Sequence, residues 1–392
     1  MPTEKQIDLS PLFQPLTIRG MTLRNRFILP AMQRKWCTDG RPEPHLVEYY
    51  RRIAAGGTAL ITTEALMVDH PSATQVPHYG WLTEQTKDGW RECVEAVAAE
   101  GASFMPQVFH EGAIRKEGGD GPLAAYPTLS PSGLAAPGTP AGRAATIDEV
   151  RDIRDAFIGS ALLAEEIGAA GVEVHACHGY LLDQFLWKGT NRRQDEYGGE
   201  DIRDRLRIHR EIVEGIRAAV SDDFVISFRF SQWKEIDYGA KNFETPEELQ
   251  TLVSIMEEAG VDLLHPSNRR FWLPEWPDLD PELSITGWTK RFSRVPVAAV
   301  GSVGLDTDVM DNLRGAEAHN AGLPSFAEML RRFERGDFDL IAVGRGQIGD
   351  PNWVRKAAEG AITEIRPFTR ADLRTHDPSE SRVLKLAAGA RD

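Results

Sequence analysis

Residues 175–185 read HACHGYLLDQF and follow the apolar run GVEV. If GVEV is a strand, it ends where Gly179 lets the chain turn sharply, and His175, His178 and Tyr180 gather at that end. Three kinds of chemistry suit such a group. The imidazoles could ligate a metal such as zinc. They could instead satisfy backbone groups at an ordinary turn. Or both could donate to a substrate oxygen and stabilise negative charge as it develops. Tyr180, with an ordinary pKa of about 10, would then serve as a weak general acid. Cys177, the nearest third metal ligand, points to the opposite face if the strand runs on unbroken. Spacing alone leaves the three open.

A cluster of this kind needs a rigid frame. Eight runs rich in apolar and β-branched residues occupy residues 26–32, 58–66, 103–110, 171–178, 224–231, 262–270, 295–303 and 338–346. Segments with helical patterning lie between them. Runs such as VPVAAVG and DLIAVG are apolar on both faces, as in a parallel sheet covered by helices. Thr146-Ile-Asp-Glu149 has the form of a capping box, in which threonine and glutamate each take a free N–H at a helix start. Behind it, Val150, Ile153, Phe157, Ala161 and Ala164 share one helical face. Thr245–Glu248 repeats the device, with Pro246 at the first helical position.

Eight β-then-α units predict one α/β domain over residues 1–392, a (β/α)8 TIM barrel; a doubly wound open sheet is the alternative. A barrel needs about 250 residues, so the surplus falls in loops and termini. Residues 9–25 predict a β-hairpin cap at the barrel's lower end. Residues 111–145, rich in Gly, Pro and Ala, predict one long loop after the third strand, on the active-site side. Residues 367–392 read as a charged tail.

The chain has 59 acidic and 45 basic residues and a formal charge of −14, which disfavours a nucleic-acid partner. No run approaches the roughly 18 apolar residues needed to cross a bilayer. The N-terminus lacks the apolar core of a secretory signal, so a cytoplasmic protein without membrane association is expected. Its three cysteines, Cys37, Cys93 and Cys177, lie far apart, which fits a reducing compartment and offers no disulfide framework.

Barrels keep their chemistry at the C-terminal strand ends. There the sequence places Pro30-Ala31-Met32, Glu64-Ala65, Gln107, His110, the His175–Tyr180 group, Arg229, Gln232, Lys234, Ser267-Asn268-Arg269, Gly301-Ser302 and Gly344-Arg345. The last two pairs follow strands seven and eight, where backbone N–H groups often hold a phosphate. Glycine permits the close approach and Arg345 adds positive charge. Arg229 interrupts the apolar run SFRFS; once buried, it needs a ligand or a barrel carboxylate such as Glu64, unless it points outward. Gln107 can donate and accept at once, which suits a heterocycle's edge. Together these residues suggest a phosphorylated aromatic cofactor across the barrel mouth.

The segment HACHGYLLDQFLWKGTNRRQDEYGG closely resembles the signature of the old yellow enzyme family of FMN-dependent ene-reductases. NRFILPAM, LITTEALMVDHP, RFSQWK and IAVGRGQIGDPNW resemble the same family in the same order. The resemblance implies a barrel holding FMN at its C-terminal mouth. It implies hydride taken from NADPH or NADH and passed to the β-carbon of an activated alkene, an α,β-unsaturated carbonyl compound or a nitroalkene. It assigns His175 and His178 to the activating oxygen and Tyr180 to protonation of the α-carbon. Gln107 and Arg229 go to the flavin's pyrimidine edge. Pro30, Ala31, Met32 and Ala65 go to the isoalloxazine, and Gly301, Ser302, Gly344 and Arg345 to the phosphate. Asn191, Arg192, Asp195, Tyr197 and Gly198 belong to a supporting loop, and Arg203 and Arg205 to ion pairs with neighbouring carboxylates. Trp187, Trp233, Arg269, Phe271 and Trp272 are candidates for the pocket wall.

Departures from the family pattern are specific. Met32 stands where many members carry a cysteine or threonine beside the flavin, and Arg34 where some carry a tyrosine. The arginine-glycine-tryptophan tail that completes a neighbour's site in certain members is missing, so nothing implies a shared site, and a homo-oligomer is left open. Competing readings are a non-catalytic flavin-binding or sensing barrel, a metal-dependent hydrolase or aldolase using His175 and His178, and a flavin-dependent tRNA dihydrouridine synthase. The acidic charge argues against the last. The leading reading has no metal.

Overall fold

In the computed structural model, residues 7–118 and 123–373 are described. Eight parallel strands form one sheet. They are β1 (Phe27–Leu29), β2 (Leu60–Met67), β3 (Ser103–Phe109), β4 (Gly171–His178), β5 (Val225–Lys234), β6 (Leu263–Ser267), β7 (Ala298–Val300) and β8 (Leu340–Ala342). Pairing runs from β1 to β6 in chain order, and β8 pairs with both β7 and β1. A parallel bridge between Leu264 and Val297 joins β6 to the segment entering β7. The sheet therefore closes into a barrel, which removes the open doubly wound alternative.

A helix follows each strand: α1 (Pro44–Ala55), α2 (Lys87–Ala99), α3 (Ile147–Glu166), α4 (Arg207–Ala219), α5 (Pro246–Ala259), α6 (Ile285–Phe292), α7 (Gly322–Arg335) and α8 (Trp353–Ala358). At α3 the capping box is complete: Thr146 Oγ1 takes the Glu149 N–H, and the Glu149 carboxylate takes the Thr146 N–H at 2.8 Å. At α5 only half of it forms, because the Glu248 carboxylate takes the N–H of Glu244 instead of that of Thr245.

Strand alternation sorts the core. Val172, Val174 and Ala176 of β4, with Ile226, Phe228 and Phe230 of β5, pack outward on Val150, Ile153 and Phe157 of α3 and on the other helices. Glu173, His175, Ser227 and Arg229 consequently face the barrel interior. Below them, the antiparallel hairpin Leu16–Ile18/Met21–Leu23 seals the lower end. Its Ile18, Met21 and Leu23 share one apolar cluster with Leu60, Met105, Val225, Leu263 and Leu340.

The segment after β3 carries more structure than its composition suggests. Leu129–Ser130 pairs with Arg143–Ala144, and Leu134–Ala136 with Thr139–Pro140. The buried Arg115 organises the segment from within, donating to the Tyr126 carbonyl at 2.8 Å and to Thr128 Oγ1 at 3.2 Å. Of the expected tail, Arg370–Leu373 forms a short helical turn, and residues 374–392 lie outside the described residues. Among the described residues no helix is long and apolar enough to cross a membrane. Replacing Thr146 with alanine should cost about 1 kcal/mol by removing the α3 cap, read as a lower urea midpoint with an unchanged slope.

Candidate active site

A cavity of about 520 Å³ opens at the C-terminal ends of the strands, within the range of roughly 300–1,000 Å³ usual for small-ligand sites. Pro30, Ala31, Met32 and Ala65 form part of its wall, and Gln107 and Arg229 lie deeper. His175, His178 and Tyr180 border another part of it, and Gly301, Ser302, Gly344 and Arg345 another. One cavity thus brings together every cofactor-binding and catalytic residue that the sequence singled out.

At its base sits a buried carboxylate. Glu173 accepts from Gln107 Nε2 at 2.7 Å, from Ser227 Oγ at 3.0 Å and from His265 Nδ1 at 2.8 Å. Burial alone raises its pKa, but His265, the Arg229 charge and the Gln107 hydrogen bond outweigh that and hold it at about 2. Arg229, only 5% exposed, reaches Ser267 Oγ at 3.3 Å, while its Nε has no partner. Glu64 is not its counter-charge: that carboxylate is taken by the N–H groups of Arg34 and Lys35 and by the Cys37 thiol. A buried guanidinium with an unmet N–H is costly, and a hydrogen-bond acceptor bound in the cavity would relieve it.

The end of β4 is shaped by a break in register. Pairing with β5 shifts between Ala176 and His178, and His178 takes a φ of 64°. Contrary to expectation, Cys177 Sγ lies 3.4 Å from His175 Nε2, because residues two apart on a strand share a face; the break brings the next residue, His178, to the cavity as well. His178 Nε2 is 2.8 Å from Ser267 Oγ, and its ring stacks on Trp233 with centroids 4.5 Å apart. The ring of His175 stands 5.5 Å from that of His178 and 5.4 Å from that of Tyr180.

Asp183 holds the turn. It accepts the Gly179 N–H and pairs with Lys234 at 3.2 Å, both side chains being fully buried. Burial, helped by the Arg229 charge, lowers His175 to about 3 and pushes His178 down as well. Both rings are therefore neutral, each with one N–H to give. Burial and the neighbouring Glu235 raise the pKa of Tyr180, which keeps its proton and donates it to Glu235 at 3.1 Å.

The opposite wall depends on two glycines. A methyl group on Gly301 would lie 2.6 Å from the Asn268 carbonyl oxygen, and one on Gly344 2.7 Å from Met32 Sδ. Arg345 is buried beside them and donates to the Asp308 carbonyl at 3.2 Å and to that of Thr307. Burial lowers its pKa to about 10.

Residues 11–319 match the NADH:flavin oxidoreductase / NADH oxidase family. The chain belongs to that family. The match agrees with the old yellow enzyme resemblance of its motifs. The NADH oxidase of Thermoanaerobacter brockii is 34% identical over 366 residues, covering 91% of this chain and 52% of that protein. The metal reductase of Desulforamulus reducens is 29% identical, covering 92% and 50%. The chain thus spans about half the length of these two relatives. The NADPH dehydrogenase of Halalkalibacterium halodurans, at 28% identity, is covered over 94% of its length and 88% of this chain. A morphinone reductase structure in complex with tetrahydroNAD shares the fold, with a TM-score of 0.74 at 23% identity over 93% of this chain and 97% of that one.

Within this NADH:flavin oxidoreductase barrel several expected residues serve structure. His110 bonds Ser72 Oγ at 3.0 Å, and Gln232 takes the N–H groups of Asn242 and Phe243. Trp233 and Arg269 line the cavity; Trp187, Phe271 and Trp272 do not border it. In the supporting loop, Asn191 donates to the carbonyls of Phe185 and Tyr197. Arg203 pairs with Asp201, but Arg205 donates to the carbonyls of Leu186, Gly199 and Glu200 instead of to a carboxylate.

Sequence reasoning missed Glu173 and His265. Each is a polar residue at an inward position of an apolar strand, the same signal that exposed Arg229. It also missed Tyr79, Phe109 and Glu235, which form part of the wall. Replacing Asp183 with asparagine leaves Lys234 buried without its counter-charge, and stability should fall by about 3–5 kcal/mol in a denaturant titration.

Proposed function

We propose that the cavity holds FMN and that the protein is an NAD(P)H-dependent ene-reductase acting on small, electron-poor alkenes. The observation that carries this reading is the neutral His175–His178 pair and protonated Tyr180 bordering the same cavity as a buried arginine with an unmet N–H. The residues present fit FMN. Arg229 and Gln107 would meet its pyrimidine edge, Pro30, Ala31, Met32 and Ala65 its ring system, and Gly301, Ser302, Gly344 and Arg345 its phosphate. Met32 offers no hydrogen-bond donor there. The chemistry FMN supplies when bound is hydride acceptance from NADPH or NADH and hydride delivery to an alkene carbon.

The chain's own residues do the rest. His175 and His178 donate N–H groups to the carbonyl or nitro oxygen, binding the alkene and stabilising the negative charge that gathers on that oxygen. Tyr180 gives its hydroxyl proton to the α-carbon. Glu235, hydrogen-bonded to that hydroxyl at the cavity mouth, is placed to pass a proton back from solvent. Phe109 and Trp233 flank the Tyr180 and His178 rings and keep bulk water from the reacting carbons. The three cysteines, all free and buried, support a reducing, cytoplasmic setting.

The test is an anaerobic visible absorption trace of the purified protein. A flavin spectrum should bleach with NADPH and return on addition of 2-cyclohexenone. A spectrum that bleaches but stays bleached with enones and nitroalkenes alike would point to the non-catalytic alternative. The Tyr180→Phe variant should still bleach with NADPH, while its recovery with the enone slows by about 10²–10⁴-fold.

Because His175 titrates at about 3, the enone step in stopped-flow measurements should show no histidine inflexion between about pH 5 and pH 8. A fall centred near about 6.5 would mean that an ordinary imidazole is at work.

A further inference from the structure

We infer that His175, Cys177 and His178 form a soft-metal site, binding one Zn²⁺ or Cd²⁺ ion through two imidazole nitrogens and a thiolate. A ligand atom from each of the three lies within 4.8 Å of the others. In a tetrahedral zinc centre, with Zn–S of about 2.3 Å and Zn–N of about 2.0–2.1 Å, neighbouring ligand atoms stand about 3.5 Å apart. Cys177 Sγ and His175 Nε2 already stand 3.4 Å apart. Strand alternation puts His175 and Cys177 on one face, and the register break at the end of β4, where His178 takes a φ of 64°, adds His178 to them, since an unbroken strand would carry that ring to the other face of the sheet.

The donor set fits soft, borderline ions and disfavours Mg²⁺. Both histidines border the cavity, so an ion can enter from there and keep a water as its fourth ligand. On binding, the Cys177 S–H bond breaks, an S–metal bond forms, and the proton leaves to the buffer. No electron changes hands.

Occupation removes the two imidazoles from any other partner. Under the proposed function, on which this consequence rests, the ion competes with the alkene oxygen and inhibits turnover.

The test uses the purified protein as isolated. Isothermal titration should show one Zn²⁺ per chain with release of a proton, and Mg²⁺ should not bind. Cd²⁺ should give the ultraviolet charge-transfer absorption of a cadmium thiolate. The Cys177→Ser variant should turn over enone normally without metal and need about tenfold more Zn²⁺, or beyond, for half-saturation. With wild type, Zn²⁺ should raise the KM for 2-cyclohexenone at constant kcat.

A Cys177→Ser protein that binds Zn²⁺ as tightly as wild type overturns the site. So does a wild-type protein without a cadmium-thiolate band, a measurement that needs no variant to fold. A thiolate-bound ion that leaves enone turnover untouched upholds the metal site and overturns instead the assignment of the histidines to the substrate oxygen.

Discussion

An ionised carboxylate deep in a barrel is affordable only if its surroundings are built for it, and Glu173 imposes that condition here. Taking such a charge out of water costs several kcal/mol unless hydrogen bonds and opposite charge compensate. Gln107, Ser227 and His265 supply the hydrogen bonds from three other strands, and Arg229 supplies the charge. In answering Glu173, each partner is also fixed in place. The Gln107 amide and the Arg229 guanidinium face the cavity from set positions because the carboxylate beneath them constrains both. The barrel interior therefore divides: the hairpin seals an apolar lower half, and a polar layer begins at the next inward position of each strand, from Met105 to Gln107, Val225 to Ser227 and Leu263 to His265.

Much of this was legible in the sequence, for a physical reason. Strands buried on both faces leave nearly continuous apolar runs, so all eight could be placed, and a single arginine in SFRFS stood out against that background. The GVEVH run carried the same message at Glu173 and was passed over, because attention to strand ends favours the last residues of each run. Closure of the sheet depends on β8 meeting β1 and on the Leu264–Val297 bridge, contacts that no local pattern encodes.

Elsewhere tertiary contacts overrode local rules. The alternation that placed Arg229 also puts Cys177 beside His175, but it does not give the position of His178, because the register slips by two residues beside Ser231, whose hydroxyl takes the His178 N–H at 2.8 Å. Glu248 looked like the second half of a capping box, yet the Glu244 N–H was the nearer donor. Residues 111–145 read as one long loop because glycine and proline hide strands of two or three residues. What organises that segment is one buried arginine answering carbonyls, not an apolar stripe. The departure at Met32 also has a structural counterpart: its sulfur packs where Gly344 has no side chain, so the two positions constrain each other.

The cavity is assembled from both ends of the barrel sequence. Pro30 and Met32 follow the first strand, Gly344 and Arg345 follow the last, and Leu373 adds to the wall beyond them. Arg34 secures that late turn by donating to the Asp372 carbonyl at 3.0 Å. On the ribosome, β1 therefore emerges long before the strand that must pair with it, and its edge stays open through most of translation. A binding site with this wiring does not exist until the last strand has emerged. Any ligand of the cavity must be captured after β8 has closed on β1, and a chaperone that shields the open edge of β1 would act before that moment, not after it.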